Sequence, residues 1–211
     1  SSFGPLPDVE RRRARLEYGW ANDQRVHLCV GELSHRKNQV PLAAAWRRLA
    51  GPSDRLVFVG DGAAREALEE TDDRVHILGW REDIPRLMAA ADTLVVPSLG
   101  EGFSLVILEA LASGLPVFTT PVGGSEAILG NDGAIRGSVD DVVRAAVSST
   151  LPDCEPVDRV LRAQRHRESA SVDTVADDFV EIYHRTLDRP VTATGGVVDL
   201  TTSADSRADV R

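Results

Sequence analysis

Lysine is almost absent from this chain: Lys37 is the only one among 24 Lys and Arg residues, so any chemistry that needs an ammonium has one position to use. Cysteine is nearly as scarce. Cys29 and Cys154 lie far apart, with no CxxC pair and no His/Cys cluster, and read as free thiols in a reducing compartment. No run of about 18 apolar residues occurs and no signal-peptide pattern opens the chain, which places it in the cytoplasm in this reading. The five histidines are scattered without ligand spacing and HExxH is missing, so no metal site is expected. G-x-S-x-G is missing too, which removes the usual serine-hydrolase nucleophile. Positive charge is in deficit: a net charge of −9 and a pI near 5.0 give no long-range attraction for nucleic acid or anionic lipid. Any phosphate must therefore be held by local groups.

What is present is a globular composition, 42% hydrophobic, on a chain long enough for one good core. Short β-branched runs, Val26 to Leu33, Leu56 to Val59, Val75 to Leu78, Thr93 to Val96 and Pro116 to Thr119, are apolar on both parities, as strands covered on both faces are. Between them lie "NQVPLAAAWRRLA", "AAREALEE", "EDIPRLMAAA" and "SLVILEALAS", with apolar residues at helical spacing. This alternation predicts right-handed βαβ crossovers and an α/β, doubly wound parallel sheet of Rossmann-like type. Residues 25–187 form the expected domain, ending in helices from about residue 138, and residues 188–211 read as a disordered tail too poor in large apolar groups to offset the entropy of ordering.

Each strand is followed by a glycine-rich or charged loop: "GELSHRKN", "GDGAAR", "GWRED", "PSLGEGFS" and "TPVGGSE". Open α/β sheets bind ligands along the carboxyl edge of their strands, and five such loops on one edge predict a crevice there. In "GEGFSLVILEALASG" a helix is expected to begin near Phe103 or Ser104 and to stop at Gly114. Its residues leave no polar face, so it is expected to be buried all round, with Glu109 as its one interior charge. An unpaired buried carboxylate costs several kcal/mol, roughly, unless it is protonated or partnered. A ligand with two hydroxyl donors would be such a partner; a neighbouring structural Arg is the alternative. Glu101 stands just before the helix, where the free amides of Gly102, Phe103, Ser104 and Leu105 make an anion cradle at the positive end of the helix dipole.

"EGFSLVILE" resembles the E-x7-E motif of retaining GT-B glycosyltransferases, family four, also grouped as glycosyl transferases group 1. The run "LGWREDIPRLMAAADTLVVPSLGEGFSLVILEALASGLPVFTTPVGGSEAI" resembles their nucleotide-sugar-binding domain almost continuously, and "VGELSHRKNQVPLAAAW" and "VFVGDGAAREALE" match its earlier loops. The resemblance runs over roughly residues 25–187. It implies that the chain is the donor-binding half of a GT-B fold, acting on a nucleoside diphosphate sugar, UDP favoured, with no other cofactor.

The resemblance carries roles to individual positions. Glu109 would accept hydrogen bonds from the ribose hydroxyls. Glu101 would lie beside the donor sugar and stabilise charge at the anomeric carbon, and Lys37 would neutralise the leaving diphosphate, making these two the catalytic pair. The amides of Gly102, Phe103, Ser104 and Leu105 would hold sugar hydroxyls or phosphate. Gly31 and Arg36 belong to the lysine loop, Gly60 and Gly62 to the loop beside the diphosphate or nucleoside, and Gly79 and Trp80 end the "ILGW" strand whose backbone would meet the base. No D-x-D occurs, which suits a metal-free mechanism in which Lys37 and helix amides do the cation's work.

Two features depart from the pattern. Where the family usually has Arg directly after the loop glycine, this chain has Glu32, and a carboxylate aimed at phosphate is repulsive. Either Glu32 turns away and Arg36 makes the second contact, or donor binding differs from the usual. Glu126 is shifted from its usual spacing and is given no role. Residues 1–24 resemble the interdomain connector with a short helix, so the chain reads as a fragment or half-enzyme needing an acceptor-binding domain or subunit, through which any peripheral membrane association would run. The alternatives are a nucleotide-sugar-binding module without transfer activity and a UDP-sugar 2-epimerase, against which the E-x7-E run argues. A dehydrogenase is disfavoured because Arg65 stands where G-x-G-x-x-G needs its third glycine and the loop follows the second strand.

Overall fold

The computed structural model describes residues 3–69, 72–102, 104–122, 125–129, 133–135, 137–148 and 159–164. Six strands, β1 (Arg25–Val30), β2 (Asp54–Val59), β3 (Val75–Ile77), β4 (Thr93–Val96), β5 (Val117–Thr119) and β6 (Gly133–Ile135), form one sheet in the order β3-β2-β1-β4-β5-β6. Every pairing is parallel. The helices are α1 (Asp8–Glu17), α2 (Gln39–Leu49), α3 (Arg65–Leu68), α4 (Ile84–Ala90), α5 (Leu105–Ala112), α6 (Ser125–Leu129) and α7 (Val139–Ser148). The doubly wound Rossmann-like sheet expected from the strand-helix alternation is the fold observed. Five strands lie where the apolar runs placed them; β6, "GAI", is three residues long and too short to show a period. The expected strand over Val26 to Leu33 stops at Val30, because the backbone turns at Gly31 with φ of 141°.

Alternating residues along the strands feed two separate cores. Val26 and Leu28 of β1, Val57 and Val59 of β2, and Leu94 and Val96 of β4 face the layer of α1, α4 and α5. Cys29, Leu56, Phe58 and Val95 face the opposite layer with Leu42 and Trp46 of α2 and Val142, Val143 and Ala146 of α7. Because successive side chains of a strand point to opposite faces, only strands apolar at every position can fill both layers.

Polar bolts hold the base of the sheet. Asp92, at the start of β4, accepts the Val26 amide at 2.7 Å and pairs with Arg11 at 2.7 Å and Arg15 at 3.0 Å, which ties α1 to the sheet. Burial alone would raise the Asp92 pKa, but Arg15, Arg11 and the Val26 amide outweigh it and hold the carboxyl below its usual range. The short helix expected in residues 1–24 is α1. At the C-terminus of α5, Gly114 sits at the position expected to stop the helix, with φ of 66°. The Leu115 amide bonds the Ala110 carbonyl and the Gly114 amide the Leu111 carbonyl, a Schellman closure. The helix expected over 171–187 and the tail expected over 188–211 lie outside the described residues, as does Cys154.

Candidate functional site

The strand order reverses between β1 and β4, and these two neighbours pair only at His27↔Thr93 and Leu28↔Leu94, whereas β1 pairs with β2 from Arg25 to Val30. Past Leu28 the chains leave the ladder and run to opposite sides, which opens the crevice that such a switch point provides. The two loops are stitched above it. Asn38 donates to the Pro97 carbonyl at 3.0 Å, the Leu99 amide to the Arg36 carbonyl at 2.9 Å, and the Arg36 guanidinium to the Gly100 carbonyl at 3.1 Å. Asn38 achieves its reach from a left-handed backbone conformation, φ of 59°.

Beneath the stitches lies a cavity of about 570 Å³. Gly31, Lys37, Glu101, Ser104, Leu105 and Glu109, all named from the sequence, line it. Glu101 is the best-held group there, its side chain 6% exposed. It accepts Lys37 Nζ at 2.6 Å, the Ser98 hydroxyl at 2.7 Å and Arg36 at 3.3 Å. Ser98 is itself fixed, its carbonyl accepting the Thr120 hydroxyl at 2.6 Å. Burial works against the ionised form of Glu101, yet Lys37, Ser98 and Arg36 together hold its pKa below the usual range.

Glu109 is the opposite case. It is half-buried on the cavity-facing side of α5, its carboxylate forms no hydrogen bond or ion pair with any described residue, and its pKa is raised by burial alone. Among the described residues, no internal Arg pairs with it to give it a structural role. The Ser104 hydroxyl, at the N-cap of α5 and on the cavity wall, is likewise buried without a hydrogen-bond partner. Two carboxylates of one short motif thus sit in environments that drive their protonation in opposite directions, a pattern found where acid groups are given different tasks.

The expectation that α5 is buried all round is corrected here. Ile107, Ala110 and Leu111 are buried, but Leu105 is 65% exposed and Val106, Leu108 and Glu109 are only partly covered. The helix starts at the crevice, so part of its apolar surface looks into the cavity instead of the protein interior. Gly102 is exposed and Phe103 lies outside the described residues. Arg36 is 55% exposed and reaches Glu101 from above the cavity without lining it. Glu32 is exposed, lies outside the cavity wall, and uses its carbonyl to accept Gln39 at 2.7 Å.

The structure does not bring Gly60, Gly62, Gly79 or Trp80 to the cavity wall. A Cβ on Gly60 would lie 2.0 Å from the Gly31 carbonyl oxygen, and one on Gly62 would lie 2.4 Å from that of Leu33. These two glycines let the loops after β1 and β2 pass in contact. Gly79 contributes its carbonyl to the Gly60 amide at 2.8 Å, and Trp80 is 71% exposed.

Sequence reasoning missed six lining residues, Phe3, Val30, Glu82, Ile84, Pro85 and Val106. Glu82 stands in the charged "GWRED" loop, where its neighbours Arg81 and Asp83 pair at 2.7 Å and Tyr18 donates to Asp83 at 2.8 Å, leaving Glu82 exposed and its carboxylate without a partner among the described residues. Its place in a charged loop on the carboxyl edge was the available signal; nothing pointed to Phe3. Beneath the lysine loop, burial pushes the Cys29 thiol up to about 12, which makes it inert. Among the described residues no three His, Cys, Asp or Glu side chains converge as a metal site, and no helix is long and apolar enough to cross a membrane.

Residues 24–150 match the family described as glycosyl transferases group 1. The UDP-Gal:alpha-D-GlcNAc-diphosphoundecaprenol alpha-1,3-galactosyltransferase of Escherichia coli is 35% identical over 140 residues, which cover 59% of this chain and 36% of that protein. The D-inositol 3-phosphate glycosyltransferase of Salinispora tropica is 36% identical over 189 residues, 84% of this chain and 35% of that protein. The chain therefore spans about a third of the length of these relatives. Among solved structures, Anabaena Alr3699/HepE in complex with UDP aligns with a TM-score of 0.70 at 23% identity, over 87% of this chain and 56% of the other, a likeness of fold. The matched segment covers more than half of the chain and contains the whole strand-to-loop series that builds the crevice, Lys37, Glu101 and Glu109 included: this chain belongs to the glycosyl transferases group 1 family.

Proposed function

We propose that this chain is the donor-binding domain of a retaining, metal-independent glycosyltransferase that takes a nucleoside diphosphate sugar, UDP favoured over GDP or ADP, and glycosylates a saccharide, lipid or small-molecule acceptor. The observation that carries the proposal is Glu109: a partly desolvated carboxylate on a cavity wall, without a partner among the described residues, in a crevice at the switch point of the sheet. A vicinal diol donates two hydrogen bonds to one carboxylate, and the ribose of a nucleotide is such a diol. Complexes of the similarly folded HepE with UDP and with UDP-glucose support the nucleotide-sugar reading.

In this reading the diphosphate lies between Lys37 and the amides at the start of α5, whose positive dipole end favours it. Arg36 stands close enough to Glu101 to add a second positive charge, in keeping with an exposed Glu32 that takes no part. The Ser104 hydroxyl gains a partner. Glu101, held rigid by Ser98 and Lys37, faces the sugar and stabilises positive charge at the anomeric carbon. The acceptor oxygen bonds to the anomeric carbon on the face from which the diphosphate departs, the carbon–oxygen bond to phosphate breaks, and the acceptor proton passes to the leaving phosphate oxygen. Lys37 and the helix amides supply the positive charge that the leaving group requires, so no metal or further cofactor enters the proposal. The acceptor is supplied by a second domain or subunit, which also makes any membrane contact, and the protein works in the cytoplasm. Proximity of the two substrates contributes much of the rate, so the chain alone is expected to bind donor and to transfer poorly.

Isothermal titration with UDP, GDP and ADP tests the reading. UDP is expected to bind most tightly, and Glu109→Ala is expected to weaken it at least about tenfold, since hydrogen bonds to a charged group contribute about 1.5–3 kcal/mol. Unchanged affinity in that variant would remove the ribose assignment.

A further inference from the structure

On the donor-site reading above, we infer that the crevice accepts a donor whose sugar carries no acidic group, a neutral hexose or acetamido sugar, and rejects uronates. The inference rests on a census of the charges that face the cavity. Four ionisable side chains line it: Lys37, Glu82, Glu101 and Glu109. The one cation among its described lining residues is already taken, Lys37 lying 2.6 Å from Glu101, and the Arg36 guanidinium leans on the same carboxylate at 3.3 Å. Glu82 and Glu109 have no cationic partner among the described residues, and the two sit on different elements, the loop after β3 and α5, so they face the cavity from different walls. What positive potential remains, at Lys37, Arg36 and the α5 amides, is drawn on by the diphosphate.

A sugar hydroxyl suits the rest of this wall. It donates to a carboxylate and accepts from the unpartnered Ser104 hydroxyl. A sugar carboxylate has only acceptors to offer, and the cavity answers it with more acceptors of the same charge. In a half-enclosed site such like-charge contacts are screened less than in bulk water. The expected discrimination is at least tenfold in affinity. Glu82 is the residue that sharpens it, because it belongs to neither the E-x7-E motif nor the lysine loop, lines the cavity, and has its neighbours Arg81 and Asp83 paired with each other, so that its charge is not offset by Arg81.

The test uses the full chain and the base that titration selects. The glucose and glucuronate diphosphate esters of that base are titrated in low salt and again at high salt, into the wild type and Glu82→Gln. Glucuronate is expected to bind at least tenfold more weakly than glucose, with the ratio shrinking in high salt and falling at least threefold in Glu82→Gln. Equal affinities for the two esters would overturn the inference while leaving the donor site intact, and so would a ratio unmoved by Glu82→Gln. Binding of neither ester, nor of any free nucleoside diphosphate, would overturn the donor-site reading itself and this inference with it.

Discussion

Replacing Glu109 by Gln is expected to make the protein more stable and, at the same time, a poorer binder of nucleotide. The Glu109 carboxyl has a pKa raised by burial, with no donor or cation among the described residues to offset the lost hydration. For an acid whose folded pKa lies above its unfolded value, the folded state retains the proton longer, so stability falls as pH rises through the ordinary carboxylate pKa and on through the raised one. Below that window the group is protonated in both states and costs nothing; above it the full penalty is present. Glu109→Gln, nearly the same shape and neutral at all pH, removes the penalty. Because Glu109 is only half-buried, solvent screens the effect, and the gain at pH 7 is expected to be below about 1 kcal/mol, a rise in Tm of no more than about 4 °C for a chain of 211 residues. Near pH 4 the two proteins should melt together. Thermal melts from pH 4 to pH 8.5, paired with nucleotide titrations in which the variant loses about tenfold in affinity, check both halves. A variant that is less stable than wild type at pH 7 would refute the reasoning, since it would mean that the carboxylate is already satisfied inside the protein.

Two further substitutions test what holds the site in place. Gly60→Ala puts a methyl group 2.0 Å from the Gly31 carbonyl oxygen at a φ of 138°, so the loops after β1 and β2 must separate; a loss of more than about 3 kcal/mol in urea unfolding is expected, and near-wild-type stability would show that the two loops yield freely. Asp92→Asn leaves Arg11 and Arg15 without their carboxylate, and because Asp92 keeps some solvent contact the cost is expected at the lower end for buried pairs, about 3 kcal/mol. The Asp92 pKa is depressed, so its contribution is present above the ordinary carboxylate range and is lost as pH falls through the folded value; unfolding curves of the two proteins should converge in acid and diverge toward neutrality.

The pairing of Glu101 with Glu109 could be read directly from spacing, because seven intervening residues place one carboxylate before a helix and the other on its second turn. The inward strands were legible for a similar reason: runs apolar at both parities have few folds open to them. Gly60 and Gly62 were legible as a loop of close backbone approach, and the structure shows one such approach, to the loop after β1. The misreadings are also physical. Leu105 looked like core and proved to be rim. Glu82 drew no attention because no periodicity or motif marks a solitary acid in a turn.

Sequence alone pointed to the doubly wound α/β sheet, to the carboxyl-edge location of the charged loops and to the family resemblance, since all of these follow from local periodicity and from residues close together in the chain. The tertiary structure decided which of the loop residues share a cavity, that Lys37 is bound to Glu101 across 64 positions of chain, and that Glu109 has no such companion among the described residues. The reason is that burial and pairing of a charge are set by groups distant in sequence. A carboxylate reads the same in the chain whether it meets an ammonium or an open crevice, and only the packing of β1 against β4 determines which.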